Sequence, residues 1–250
     1  MMNNDKLVSI AMATYNGEKY LHEQLDSIYN QTYKNIEVVV CDDCSTDSTV
    51  EILKKYKEKY GLKYFINEKN LGYSKNFEKA AFLCKGEYIA FSDQDDIWLP
   101  EKIETLLNEI GLYSLIHSNA GMIDKNGILL NKNIKSNLKS ELFTGNSFKK
   151  IANISIVRGC TILCKKDLVI KASPIPPNEP HDWWFAIVAS RTNDLTYLDK
   201  ELMFWRKHNS VTNRSSFGNF IVRIYLLTVA NLYRQIRLIK RDLILKQRGL

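Results

Sequence analysis

The 250-residue chain, 45% hydrophobic and 25% charged, has an ordinary globular composition and is long enough to bury a substantial core as one large domain or two small ones. Its net charge of +7 is uneven: residues 201–250 hold ten Lys and Arg against Glu201 and Asp242 alone, so the first 200 residues are near neutral and the tail is basic. Five cysteines behind a polar start at residues 1–6 argue against a disulfide framework and for a reduced cytoplasmic setting, and no apolar run approaches the ~20 residues that a spanning helix needs.

Residues 7–13 are apolar almost throughout, as suits a parallel strand covered on both faces, and the polar loop Thr14-Tyr15-Asn16-Gly17 follows. Leu21, Leu25 and Ile28 recur at helical spacing over 18–29, and the β-branched run 36–40 ends at Asp42-Asp43. Cys41-x-x-Cys44 does not make a zinc site, because Cys160 and Cys164 lack the spacing of a second ligand pair. Ser45 is placed to cap a helix with Val50, Leu53 and Tyr56 or Tyr60 inward, and 62–66 reads as a third strand. Asn70-Leu71-Gly72 forms a loop, Phe77, Ala80, Ala81 and Cys84 line another helix, and a fourth strand over 88–91 delivers the chain to Asp93-Gln94-Asp95-Asp96. This alternation predicts an α/β fold, a mostly parallel open sheet with helices on both faces.

In such a sheet ligands sit beyond the carboxyl ends of the strands, so the loops at 14–17, 42–45, 67–72 and 93–96 share one rim. Asp93-x-Asp95 alone is either a solvated acidic turn or, in that position, a clasp for a hard divalent ion, Mn²⁺ or Mg²⁺, that meets a phosphorylated substrate. No G-x-G-x-x-G or G-x-x-x-x-G-K follows the first strand, so a diphosphate would be neutralised by a cation and not by helix amides. After Pro100 a helix runs to about residue 110. Residues 115–122 and 128–130 read as a hairpin excursion, 131–150 as a lysine-rich loop, and 162–164 as a short strand after Arg158-Gly159-Cys160-Thr161. His181-Asp182-Trp183-Trp184 opens a helix after a Pro-rich loop; Asp182 there is either a helix cap or a base at a semi-apolar entrance. A strand over 195–198 leads to Arg206-x-His208, whose spacing puts both side chains on one side.

From about residue 219 to 246, Ile221, Tyr225, Val229, Leu232, Ile236, Ile239 and Leu243 recur near a 3.6-residue period, with Arg223, Arg234, Arg237, Arg241 and Arg248 opposite. This basic amphipathic helix docks on protein or lies on an anionic membrane surface. A nucleic-acid partner is not expected, because aromatics do not interleave its basic face.

Taken in order, Val8-Ser9-Ile10, Ala13-Thr14-Tyr15-Asn16, Val40-Cys41-Asp42-Asp43-Cys44-Ser45-Thr46-Asp47, Asn70-x-Gly72 with Lys75-Asn76, Asp93-Gln94-Asp95-Asp96 and His181-Asp182-Trp183-Trp184 resemble bacterial glycosyltransferases of family 2, most nearly the rhamnosyl- and galactosyltransferase-like members. The resemblance covers about residues 7–209. It implies the GT-A fold over residues 1–217, with a nucleotide-binding half (1–110), an acceptor half (111–217) and a C-terminal helical extension (218–250). It also implies roles: Thr14, Tyr15 and Asn16 at the nucleotide, Asp43 accepting from the pyrimidine ring, Lys75 at the nucleotide, Asp93 at ribose or metal, Asp95 on the metal, His208 at the metal or phosphate, and Asp182 as general base. Lys75 stands where the family often has Arg, and Cys44 where it usually has Gly.

The expected activity is inverting, metal-dependent transfer of a sugar from a UDP- or dTDP-sugar to a saccharide or lipid-linked saccharide in cell-surface polysaccharide synthesis. The enzyme is expected in the cytoplasm and at the inner face of the cytoplasmic membrane. Two readings compete: a nucleotidyltransferase, which would carry a Gly-rich basic N-terminal loop where this chain has Ala13-Thr14-Tyr15-Asn16-Gly17, and a non-catalytic nucleotide-sugar-binding scaffold subunit.

Overall fold

A computed structural model of the chain describes residues 6–134, 148–153, 155–208 and 239–249. The first half is the expected alternation: β1 (Val8–Thr14), α1 (Leu21–Tyr29), β2 (Ile36–Asp42), α2 (Thr49–Tyr60), β3 (Lys63–Ile66), α3 (Tyr73–Leu83) and β4 (Tyr88–Ser92). Then follow β5 (Ile97–Trp98), α4 (Lys102–Glu109), β6 (Leu115–Ile123), β7 (Leu129–Asn133), α5 (Phe148–Asn153), β8 (Ile162–Lys165), α6 (Lys166–Ala172), α7 (His181–Arg191) and β9 (Leu195–Arg206). A last helix, α8, spans 239–247.

The strands form one sheet in the order β3-β2-β1-β4-β8-β6-β9-β5, with β7 beside β6. β1 pairs in parallel with β2 and β4, and β2 with β3, so the parallel arrangement holds through the first half. Beyond β4 it gives way: β8 runs antiparallel to both β4 and β6, β5 runs antiparallel to β9, and β6 returns to a parallel pairing with β9. The sheet is therefore mixed. The expected hairpin forms, since the end of β6 pairs antiparallel with β7, but it is no excursion: β6 is buried at every position inside the sheet. Its polar His117, Ser118 and Asn119 conceal that burial in the sequence.

Period-two alternation divides the core between the two faces of the sheet. Val8, Ile10 and Met12 of β1 pack with Leu21, Leu25, Ile28, Leu53 and Ile103 from α1, α2 and α4. Ala11 packs on the other face with Phe77, Leu168, Trp184 and Phe185 from α3, α6 and α7. Ser45 does not cap α2; its hydroxyl bonds Asp42, and Asp47 accepts the Thr49 N–H at 3.0 Å instead.

Most of the expected amphipathic tail helix lies outside the described residues. In α8 Arg241, expected on the outer face, is buried, while Ile239 and Leu243, expected on the inner face, are 59% and 52% exposed. Among the described residues no helix is long and apolar enough to cross a membrane.

Candidate active site

Because β1, β2 and β4 are parallel neighbours, their carboxyl ends bring Thr14, Asp43 and Asp93 to one edge, where they border a cleft of about 750 Å³. Asp182, at the start of α7, and His208, just past β9, line the same cleft.

Asp43 is 3% exposed and organises the loop after β3. Its Oδ1 accepts from the Leu71 N–H (2.7 Å) and from Asn67 Nδ2 (2.8 Å), and its Oδ2 accepts from the Gly72 N–H (2.9 Å). Gly72 adopts φ +78°, a conformation that glycine enters without the Cβ penalty and that starts α3 at the cleft wall. Thr14 is buried with its hydroxyl on Asp42 Oδ1 at 2.8 Å. Tyr15 is half exposed, and its backbone is clasped by the Gln94 amide, which accepts from the Tyr15 N–H at 2.8 Å and donates to the Tyr15 carbonyl at 3.0 Å.

Beyond β4 the carboxylates crowd. Burial, with the charges of Asp95 and Asp182, pushes Asp93 up to about 7. Asp96 is fully buried and its carboxyl is also raised well above the usual carboxylate range, by burial and then by Asp93 and Asp95; its Oδ1 accepts from the Arg206 backbone N–H at 3.0 Å. Arg206 Nε donates to the Asp95 carbonyl (2.7 Å), and His208 Nε2 lies 2.6 Å from Asp95 Oδ2. The end of β9 thus braces the acidic turn.

Across the cleft, Asp182 Oδ2 accepts from the Gly159 N–H (3.0 Å) and Oδ1 from the Trp183 N–H (2.7 Å). His181 is 4% exposed, stacks on Phe77 with ring centroids 4.1 Å apart, and has no hydrogen-bond partner on either ring nitrogen among the described residues. Burial lowers its pKa, so it stays neutral.

Two expected residues lie off the cleft wall. Asn16 turns back to accept from the Thr46 N–H at 2.9 Å. Lys75 is drawn away to Glu78 Oε2 (2.6 Å) and the Ile175 carbonyl (2.9 Å), because α3 presents that face to the Pro-rich loop. Conversely Tyr73, Phe77, Arg158, Gly159 and Cys160 line the cleft without having been anticipated. Arg158-Gly159, a cation and a close-approach residue ahead of a strand, was the available signal.

The family model for "Glycosyl transferase family 2" matches residues 9–170. The chain belongs to glycosyltransferase family 2. The transferase is 32% identical over 216 residues to the dTDP-rhamnosyl transferase RfbG of Shigella flexneri, covering 80% of this chain and 72% of RfbG. It is 39% identical over 103 residues to WfaP of Escherichia coli, a UDP-Glc:alpha-D-GlcNAc-diphosphoundecaprenol beta-1,3-glucosyltransferase, over 41% of each chain. The crystal structure of S. aureus TarS 1-349 in complex with UDP-GlcNAc superposes with a TM-score of 0.65 at 25% identity, covering 90% of this chain and 66% of TarS 1-349. The glycosyltransferase therefore has the GT-A fold.

Proposed function

We propose that this glycosyltransferase is an inverting, metal-dependent enzyme that moves a sugar from a UDP- or dTDP-sugar to a hydroxyl of a saccharide or lipid-linked saccharide in cell-surface polysaccharide synthesis. The observation that carries the reading is the division of one cleft: Asp43, Asp93 and Asp95 border it from the first half of the chain, and Asp182 borders it from the second. The names of RfbG and WfaP and the ligand of TarS support a nucleotide-sugar donor, and WfaP supports a lipid-linked acceptor.

In this reading Thr14, Tyr15 and Asp43 receive the nucleoside, and Asn16 and Lys75 act from behind by holding the loops that frame it. The oxygen donors of Asp93 and Asp95 fit a hard divalent ion, since a cation offsets the burial and the repulsion from Asp95 that together raise Asp93. Asp93, Asp96 and Cys160 also bring ligand atoms within 4.8 Å of one another, but burial holds the Cys160 thiol protonated and Asp96 is engaged by Arg206. When bound, the ion supplies charge neutralisation at the diphosphate. His208 orients Asp95 through the 2.6 Å contact. Asp182 takes the proton of the acceptor hydroxyl as its oxygen attacks the anomeric carbon. The bond from that carbon to the diphosphate breaks on the opposite face, its electron pair leaving with the phosphate oxygen.

Calorimetry with UDP and dTDP, with and without Mn²⁺, tests the donor side: binding should need the ion and fall at least tenfold in Asp95→Asn. Binding indifferent to both reduces the acidic turn to a solvated loop. Association with the inner face of the cytoplasmic membrane belongs to the same proposal, supported by the outward Ile239 and Leu243 beside the exposed Lys240. Flotation with anionic vesicles should then be lost in a chain ending at Phe217; equal flotation of both forms, or of neither, removes this part.

A further inference from the structure

Lys102 is fully buried, yet nothing in the transfer chemistry above uses it. It sits in the first turn of α4, where a cation opposes the helix dipole, so helix stability does not explain it. Its Nζ donates to the Cys160 carbonyl and lies 3.6 Å from Met203 Sδ and 3.6 Å from the centroid of the Trp98 ring. Burial pulls its pKa down to about 7, with Cys160, Asp96 and Asp93 opposing that fall. An ammonium enclosed by aromatic, thioether and carbonyl groups costs several kcal/mol of desolvation that an apolar side chain of similar volume would avoid.

The carbonyl that Lys102 holds belongs to the turn Gly159–Thr161. The Gly159 N–H of this turn donates to Asp182 Oδ2 at 3.0 Å. The turn also packs closely on the residue before Asp182: a Cβ on Gly159 would lie 2.7 Å from His181 Nε2, and at ordinary contact distance, 3.5 Å, from the Asp182 Cβ. A shift of the turn moves the Gly159 N–H and with it the bond that holds the carboxylate. We propose that Lys102 is a positioning residue for sugar transfer: by holding the Cys160 carbonyl it fixes the 159–161 turn where the Gly159 amide orients the Asp182 carboxylate toward the acceptor. This rests on Asp182 as the base.

The test uses the full chain and measures nucleoside diphosphate released from UDP-Glc, UDP-GlcNAc and dTDP-rhamnose, following whichever donor the wild type turns over. Lys102→Met, of similar volume and without charge, should keep its melting temperature and bind UDP or dTDP with Mn²⁺ within threefold of wild type. Its kcat should fall at least tenfold with KM for the donor little changed, a split that a general loss of structure would not give. In the Asp182→Asn background the same substitution should cause no further loss, because the two act through one group. An unchanged kcat in folded Lys102→Met, or losses that multiply in the double variant, overturns the proposal. Should Lys102→Met fail to fold, Lys102→Gln carries the same cycle under the same criteria. Full turnover by Asp182→Asn instead removes the base assignment itself, a result distinct from an inactive Asp182→Asn beside a fully active Lys102→Met.

Discussion

Arg241 gives the fold its sharpest quantitative test. The side chain is 1% exposed in α8; Nε donates to Glu179 Oε1 at 3.2 Å, Nη2 to Glu179 Oε2 and Nη1 to the Ala152 carbonyl, and the guanidinium lies 3.8 Å from the centroid of the Trp183 ring. Glu179 is nearly as enclosed, with a side chain 11% exposed. Arg241→Ala takes away the guanidinium facing that carboxylate, strips a buried carbonyl of its donor and empties the face of Trp183. Breaking a buried ion pair from one side costs about 3–5 kcal/mol, which at a urea dependence of about 3 kcal/mol/M is a midpoint shift of roughly 1 M or more. Replacing both partners by apolar groups, Arg241→Met with Glu179→Leu, should recover most of it. Lys246→Ala is the control, since Lys246 is 63% exposed in its pair with Asp242, and its midpoint should stay within error of wild type. The damage should also reach the site, because the Glu179 carbonyl accepts from the Ser74 hydroxyl at 2.8 Å and the chain then leads through Pro180 to Asp182. A shift in Arg241→Ala no larger than in Lys246→Ala would refute the reasoning and detach α8 from the domain.

Three further outcomes follow from the site and the core. Asp182→Asn should lose 10²- to 10⁴-fold in turnover while its stability changes by about 1 kcal/mol, because Asp182 lies inside α7 and does not cap it, and Asn keeps one of the bonds from the Gly159 and Trp183 N–H groups but cannot take a proton; retained turnover moves the base elsewhere. Gly159→Ala, whose new methyl meets His181 Nε2 at 2.7 Å, should cost about 1–3 kcal/mol in urea denaturation and reduce turnover, and a neutral result would mean that the turn has room to move. Burial pushes His117 down to about 3, so below pH ~6.5 the unfolded chain takes up a proton that the folded protein refuses, and this contribution to stability falls with falling pH. Between pH 6 and 5, His117→Asn should therefore depend on pH less steeply than the wild type by up to about 1.4 kcal/mol per unit, against the opposite trend from Asp93, whose raised carboxyl weakens the fold as pH rises; equal slopes would refute it.

Local pattern carried the first half of the fold because each of its strands and helices shows its own period, and strands alternating with helices favour parallel pairing even where, as with β1 and β4, the partners lie far apart in the chain. Apolar runs, helical spacing and the polar loops between them place β1, β2 and β4 side by side, and with them Thr14, Tyr15, Asp43, Asp93 and Asp95 at one rim. Asp182 and His208 were legible as motifs, and both line the cleft. Asn16 and Lys75 lie off the cleft wall because their side chains bond neighbours instead, Asn16 the Thr46 N–H and Lys75, on α3, Glu78 and the Ile175 carbonyl. Arg158, Gly159 and Cys160 were missed as site residues, because a short turn before a short strand carries no periodicity to mark it.

The sequence by itself determined the alternating α/β half, the acidic turn at 93–96 and the residue types available for transfer, since each depends on periods of two or 3.6 residues and on spacings within a few positions. Only the tertiary structure decided that the sheet turns antiparallel beyond β4, that β6 lies within it, that Arg241 is buried, and that Lys102 reaches a carbonyl 58 residues away and a thioether 101 residues away. Those contacts join segments whose separation leaves no periodic trace. Their energies come from burial and pairing across the whole sheet, which forms only when both halves of the chain are folded together.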